Sequence, residues 1–142
     1  MKLREAFPGG RFSPPATEYS LQHAEALLRV KLPAPLREVY LECDGFREPL
    51  GNAKYLLSLT GEDFTGSLVS LTNFFWLHRP GPDLRPFIFF GCSARDAMWG
   101  MRIEAPHSIV AYHHSMEDSF EEAGEGIIGV YLSDYAWFQS VI

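Results

Sequence analysis

Residues 32–45 read LPAPLREVYLECDG, and the fold of the chain is decided by how this stretch is read. Pro35 suits the first turn of a helix, where a missing N–H costs little. Leu36, Val39, Tyr40 and Cys43 then recur at i, i+3, i+4 and i+7, which is one helix face. Gly45, after Asp44, accepts the left-handed backbone that closes a helix. A short helix with so narrow an apolar stripe needs a larger surface to cover. None of its residue types points to catalysis, so the stretch speaks of fold before function.

Upstream, Thr17 is a good N-cap for a helix over 17–30, with Glu18 at its positive end and Leu21, Ala24, Leu27 and Leu28 on the buried face. Leu32-Pro33 breaks it, so two short helices meet at a tight turn. Residues 1–15 mix charge with Pro8, Gly9, Gly10, Pro14 and Pro15 and read as an irregular arm, anchored by Phe7 and Phe12. The domain itself is expected over 16–142.

Downstream, a turn-rich connection over 46–54 leads to a strand over 55–59 and a loop over 60–66. Ser70 is read as the cap of a third helix, with Leu71, Phe74, Phe75 and His78 on its face, ended by Arg79-Pro80-Gly81-Pro82. In the second half a short apolar aromatic run over 87–91 reads as a well-buried strand, and further strands are expected over 97–103 and 108–114, then an acidic loop. A short strand over 127–131 precedes a last helix, capped by Ser133 and bearing Tyr135, Phe138 and Val141 or Ile142. Strands joined by short loops pair antiparallel. The pattern predicts one α+β domain, its helices packed against a mainly antiparallel β-sheet.

The chain has 142 residues, 46% hydrophobic and 14% aromatic, which is enough to build one core without staples. A net charge of −6 argues against a nucleic-acid binder, which needs basic surface to neutralise phosphates. It favours a basic protein partner reached by electrostatic steering. Cys43 and Cys92 are the only cysteines, and Cys43 lies on the apolar stripe, so a structural disulfide is not expected. The opening MKLREAFPGG has no apolar run of signal-peptide length, and nothing approaches the ~20 apolar residues of a membrane span. A cytoplasmic protein is expected.

With these elements in order, the chain resembles the SUKH superfamily. The carrying features are Glu25 on the first long helix, Leu32-Pro33, the short helix ending at Asp44-Gly45, and the strand 87–91. An acidic turn at Asp96, the aromatic strand at Trp99, the strand 109–112 and a terminal aromatic helix complete the order, which spans about Thr17 to Phe138. The hairpin turn, CSARDAMWG, lacks the Gly-Asp pair common in that family. The resemblance implies an α+β protein-binding domain with no catalytic residues and no cofactor. The best-known members are bacterial immunity proteins that neutralise a cognate toxin; others are regulatory or scaffolding modules of the cell-wall-regulator type.

The most pointed local feature is the run Glu117, Asp118, Glu121, Glu122 and Glu125, five carboxylates in nine residues. As an acidic loop it would mimic nucleic-acid phosphates and fit the basic site of a nuclease-type toxin; the plainer reading is a solvated loop. Trp76, off the apolar face of its helix, and Asp96 join these as candidate partner-contacting residues. His113 and His114 are adjacent on a strand and point to opposite faces, so they cannot readily hold one metal ion together. Cys92 could meet a histidine of the next strand, but no nucleophile elbow or oxyanion-type glycine loop surrounds it. Neither a dinucleotide fingerprint nor a phosphate loop is present.

Overall fold

The computed structural model describes residues 1–61, 66–77, 81–114 and 118–142. Its organising helix, α3 (Ala34–Glu42), follows α1 (Leu3–Ala6), strand β1 (Arg11–Phe12) and α2 (Glu18–Leu28). Thr17 caps α2 through a reciprocal exchange with Ser20: the Thr17 hydroxyl accepts from Ser20 N–H at 3.0 Å, and Thr17 N–H donates to Ser20 Oγ at 2.9 Å. Pro33 holds the N-cap position of α3, and Leu36, Tyr40 and Cys43 are fully buried as their spacing predicts. The Tyr40 hydroxyl donates to Leu57 C=O at 2.5 Å, which ties α3 to the neighbouring strand region.

The closing residues of the opening stretch work differently from the expectation. The helix stops at Glu42, and Cys43 is already extended. Asp44 Oδ1 accepts from Leu59 N–H at 2.9 Å, and Gly45, at φ +133°, lets its carbonyl accept from Ser13 N–H at 3.1 Å. Asp44-Gly45 thus fastens the chain to two other segments.

Residues 1–15 are less irregular than the composition suggests. Leu3 and Phe7 are buried in the main core, and β1 pairs with β2 (Phe46–Arg47). With β3 (Lys54–Leu56), these strands make a small antiparallel sheet of order β1-β2-β3. The buried Glu48 carboxylate accepts from the backbone N–H groups of Leu50, Asn52 and Ala53, holding the β2–β3 connection together. Helix α4 (Leu68–Leu77) is capped by Ser67 rather than Ser70, since Ser67 Oγ accepts from Ser70 N–H at 3.1 Å. Its buried residues are Leu68, Val69, Thr72 and Phe75, while Phe74 is half exposed. His78, Arg79 and Pro80 lie outside the described residues.

The second sheet is antiparallel, in the order β4 (Phe87–Cys92), β5 (Met98–Arg102), β6 (Ile109–His113) and β7 (Ser119–Gly124). One face, with Phe87, Phe89, Val110 and Tyr112, packs on Phe75 of α4. The other, with Ile88, Phe90, Trp99, Met101, Ile109 and Ala111, joins the larger core with Tyr131. The two sheets meet where Leu57 N–H donates to Phe90 C=O at 2.8 Å. Gly91 is required there, because a Cβ on it would sit 1.8 Å from Tyr55 O.

Two expectations for the C-terminal third are corrected. The acidic run is not all loop: its Glu121 and Glu122 stand in strand β7 (Ser119–Gly124), held by Phe120 stacked on Tyr112 at 4.9 Å and on Phe87 at 5.4 Å. Residues 127–131 are not a strand but the start of helix α5 (Ile127–Val141), so Ser133 lies inside that helix and Gly126 is its N-cap. Ile127, Val130, Tyr131 and Asp134 fall on one helical stripe, and that stripe is buried. The class is α+β, as expected, with helices against two antiparallel sheets.

Candidate protein-binding surface

Glu121 and Glu122 are presented by β7, the last strand of the larger sheet, which among the described residues pairs with β6 alone. Register fixes which way each side chain goes. Tyr112 faces Phe120 and Val110 faces Glu122, on the α4 side of the sheet; Ala111 faces Glu121 and His113 faces Ser119, on the α5 side.

Glu122 is already engaged. The Arg102 guanidinium donates to it from Nη2 at 2.7 Å and from Nη1 at 3.1 Å, while also lying 5.4 Å over the Phe87 ring. This paired contact holds the Glu122 carboxyl below its usual range and raises Arg102. Asp118 accepts from the Tyr112 hydroxyl, closing the β6–β7 connection. Glu121 is 3.4 Å from His113 Nε2. Glu125 is exposed, between β7 and α5. Glu117 lies outside the described residues.

Glu121 and Glu122 line a cleft of about 170 Å³ between the sheet and α5, together with Trp99, His113, Arg95 and Asp134. Asp134 is buried, and its Oδ2 accepts from the Tyr55 hydroxyl at 2.8 Å and from Ala94 N–H at 2.9 Å. Its Oδ1 is 3.9 Å from Arg95 Nε, and that guanidinium lies 4.4 Å over the Trp137 ring. Asp134 therefore sets the position of the β4–β5 turn at the rim of the cleft. Neither Arg102 nor Asp134 stands out in the sequence. The one available signal was for Asp134, which completes the i, i+3, i+4, i+7 stripe of α5.

The other candidates are placed elsewhere. Asp96, at φ +62°, is exposed in the β4–β5 turn and lines a separate open depression with Cys92, Lys54 and His114. Trp76 is half-buried on α4, and its Nε1–H donates to Phe87 C=O at 2.9 Å, away from the cleft beside β7.

Cys92 shares that depression of about 710 Å³ with His114, so thiol and imidazole do border one space. The chemistry is nevertheless poor for a nucleophile. Cys92 Sγ lies 3.6 Å from Met98 Sδ, and burial pushes the thiol pKa up, against smaller opposing effects from Lys54 and Arg47. The thiolate that would attack is disfavoured. His114 packs against Phe75 and Tyr112, while His113 faces Glu121. Among the described residues no three His, Cys, Asp or Glu side chains are grouped as metal ligands. No helix among them is long and apolar enough to cross a membrane. Cys43 and Cys92 are free thiols.

No curated protein matches the chain. The model of the SMI1 / KNR4 family (SUKH-1) matches residues 15–129, from before α2 through the first turn of α5. The chain belongs to the SMI1 / KNR4 family.

Proposed function

We propose that this chain is a non-enzymatic immunity protein, which binds a bacterial toxin of basic surface and neutralises it stoichiometrically inside the cell. The observation that carries the reading is the presentation of Glu121 and Glu122, one on each face of an exposed strand, with Glu125 just after it, on a chain whose net charge is −6. Carboxylates held at a sheet edge match the basic substrate groove of a nuclease-type toxin, and their long-range field speeds encounter. The SUKH-1 family match supports a binding rather than a catalytic scaffold. The domain that does this is taken as residues 16–142, with 1–15 packed onto it.

The test is co-expression with any toxin gene that adjoins this one. Cells carrying both should survive induction, and cells carrying the toxin alone should not. Death in both cases would leave a regulatory or scaffolding module as the reading.

A further inference from the structure

We infer that the free edge of β7 takes up an extended basic segment of the partner as an added strand; this rests on the protein-binding reading above and specifies how the partner is held. The larger sheet has two ends, and they differ. At β4 the edge is covered by the segment after β3, through the bond from Leu57 N–H to Phe90 C=O. At β7 no described strand pairs on the outer side, so a row of backbone groups faces outward. The edge strands of the small sheet span two or three residues, whereas β7 spans six, with no proline and no lysine among them. Six residues is an ordinary strand length, of about the typical five or six, so the edge can carry an added strand along its whole span.

The side chains define the occupant. On one side Phe120, exposed yet stacked on Tyr112 and Phe87, offers an apolar step. On the other, Glu121 faces outward beside His113, while the Arg102–Glu122 pair lies on the opposite face. An incoming strand therefore suits an apolar residue beside Phe120 and a lysine or arginine beside Glu121. A second copy of the chain suits the edge poorly. Antiparallel self-pairing centred on Glu121 or on Glu122 sets that glutamate directly opposite its own copy, and like charges directly opposite are destabilising. Charges on an edge also deter unwanted pairing, and this deterrent acts on acidic and neutral strands while leaving basic ones free to add.

Amide hydrogen exchange on the full chain tests this, with a peptide of alternating lysine and valine as the probe. A second peptide, N-methylated at every residue, keeps the charge and loses the backbone donors. The expected result is slowing of exchange in Ser119–Gly124 by about tenfold or more with the first peptide, no slowing with the second, and weaker slowing in Glu121→Lys. Equal effects of the two peptides, protection placed away from β7, or protection that grows with protein concentration alone would each overturn strand addition. A toxin complex that forms and neutralises while β7 amides stay unprotected overturns it too and leaves the immunity reading standing. Protection by the peptide together with failure of the chain to bind or neutralise a toxin supports the edge and removes the immunity reading.

Discussion

The Tyr55 hydroxyl donates to the Asp134 carboxylate at 2.8 Å, joining the small sheet to α5 across 79 positions of the chain. The Tyr131 hydroxyl returns the connection by donating to Tyr55 C=O at 2.5 Å, and the two rings stack at 4.7 Å. Burial, with the Asp134 carboxylate beside it, drives the Tyr55 phenol well above its ordinary range, so it stays a donor at every physiological pH. This pairing locks α5 beneath the sheet and sets the floor of the cleft beside β7.

Replacing Asp134 by alanine leaves the Tyr55 hydroxyl and Ala94 N–H without their acceptor. The expected loss is about 3 kcal/mol of unfolding free energy, the upper range for hydrogen bonds to a charged group. Asp134→Asn keeps an acceptor oxygen and should recover part of it. Urea unfolding of the three proteins checks the ranking.

At Gly91 the constraint is backbone against backbone. A methyl group there collides with Tyr55 O, and neither sheet can yield without parting from the other. Gly91→Ala should cost more than the ~1 kcal/mol typical of a point substitution, seen as a fall in the thermal midpoint and faster exchange of β3 amides. A variant as stable as the parent would place the sheet junction elsewhere.

Asp44 gives a pH signature. Burial raises its carboxyl above the ordinary value of 3.8, opposed by the bond from Leu59 N–H. The folded state thus holds the proton more tightly than the unfolded chain. The contribution of this group is fully present below pH 3.8 and is lost as pH rises through the raised folded value. Asp44→Asn keeps the acceptor and removes the charge. Its stability relative to the parent should therefore rise with pH across that window and then level off. Unfolding curves taken between acid and neutral pH read this directly, and a difference independent of pH would contradict it.

Reversing Glu121 and Glu122 to lysine should slow association with a basic partner, mostly through the on-rate, and the effect should shrink as salt shortens the Debye length below ~8 Å. Glu122→Lys also sets a lysine against Arg102, yet the pair is exposed, so stability should change by no more than ~1 kcal/mol. Stopped-flow association at two ionic strengths separates the rate effect from any loss of fold.

The helices were legible where a single stripe and a cap agreed. Leu36 and Tyr40 in α3, and Thr17 before α2, needed no tertiary information. The hairpins around β5 were legible from alternation within two residues at their ends. At 127–131 the β-branched run invited a strand, and the competing helical stripe emerged only once Asp134 was counted with Ile127, Val130 and Tyr131. The acidic run was illegible as a strand for a different reason. Its stability comes from Tyr112, Phe87 and Arg102, residues distant in sequence, and strand formation depends on such neighbours more than on local preference. Sequence therefore found the carboxylates and missed the edge that displays them. Trp76 shows the converse: its spacing marked it as off the apolar face, yet its indole N–H is bonded to Phe87 C=O.

The most direct measurement is a titration of the adjoining toxin's activity with the purified chain. Stoichiometric neutralisation predicts a linear fall to zero at one chain per toxin, with full activity recovered when the complex is dissociated. Activity that is untouched at excess chain, or that is lost irreversibly at a small fraction of one equivalent, would contradict neutralisation by binding.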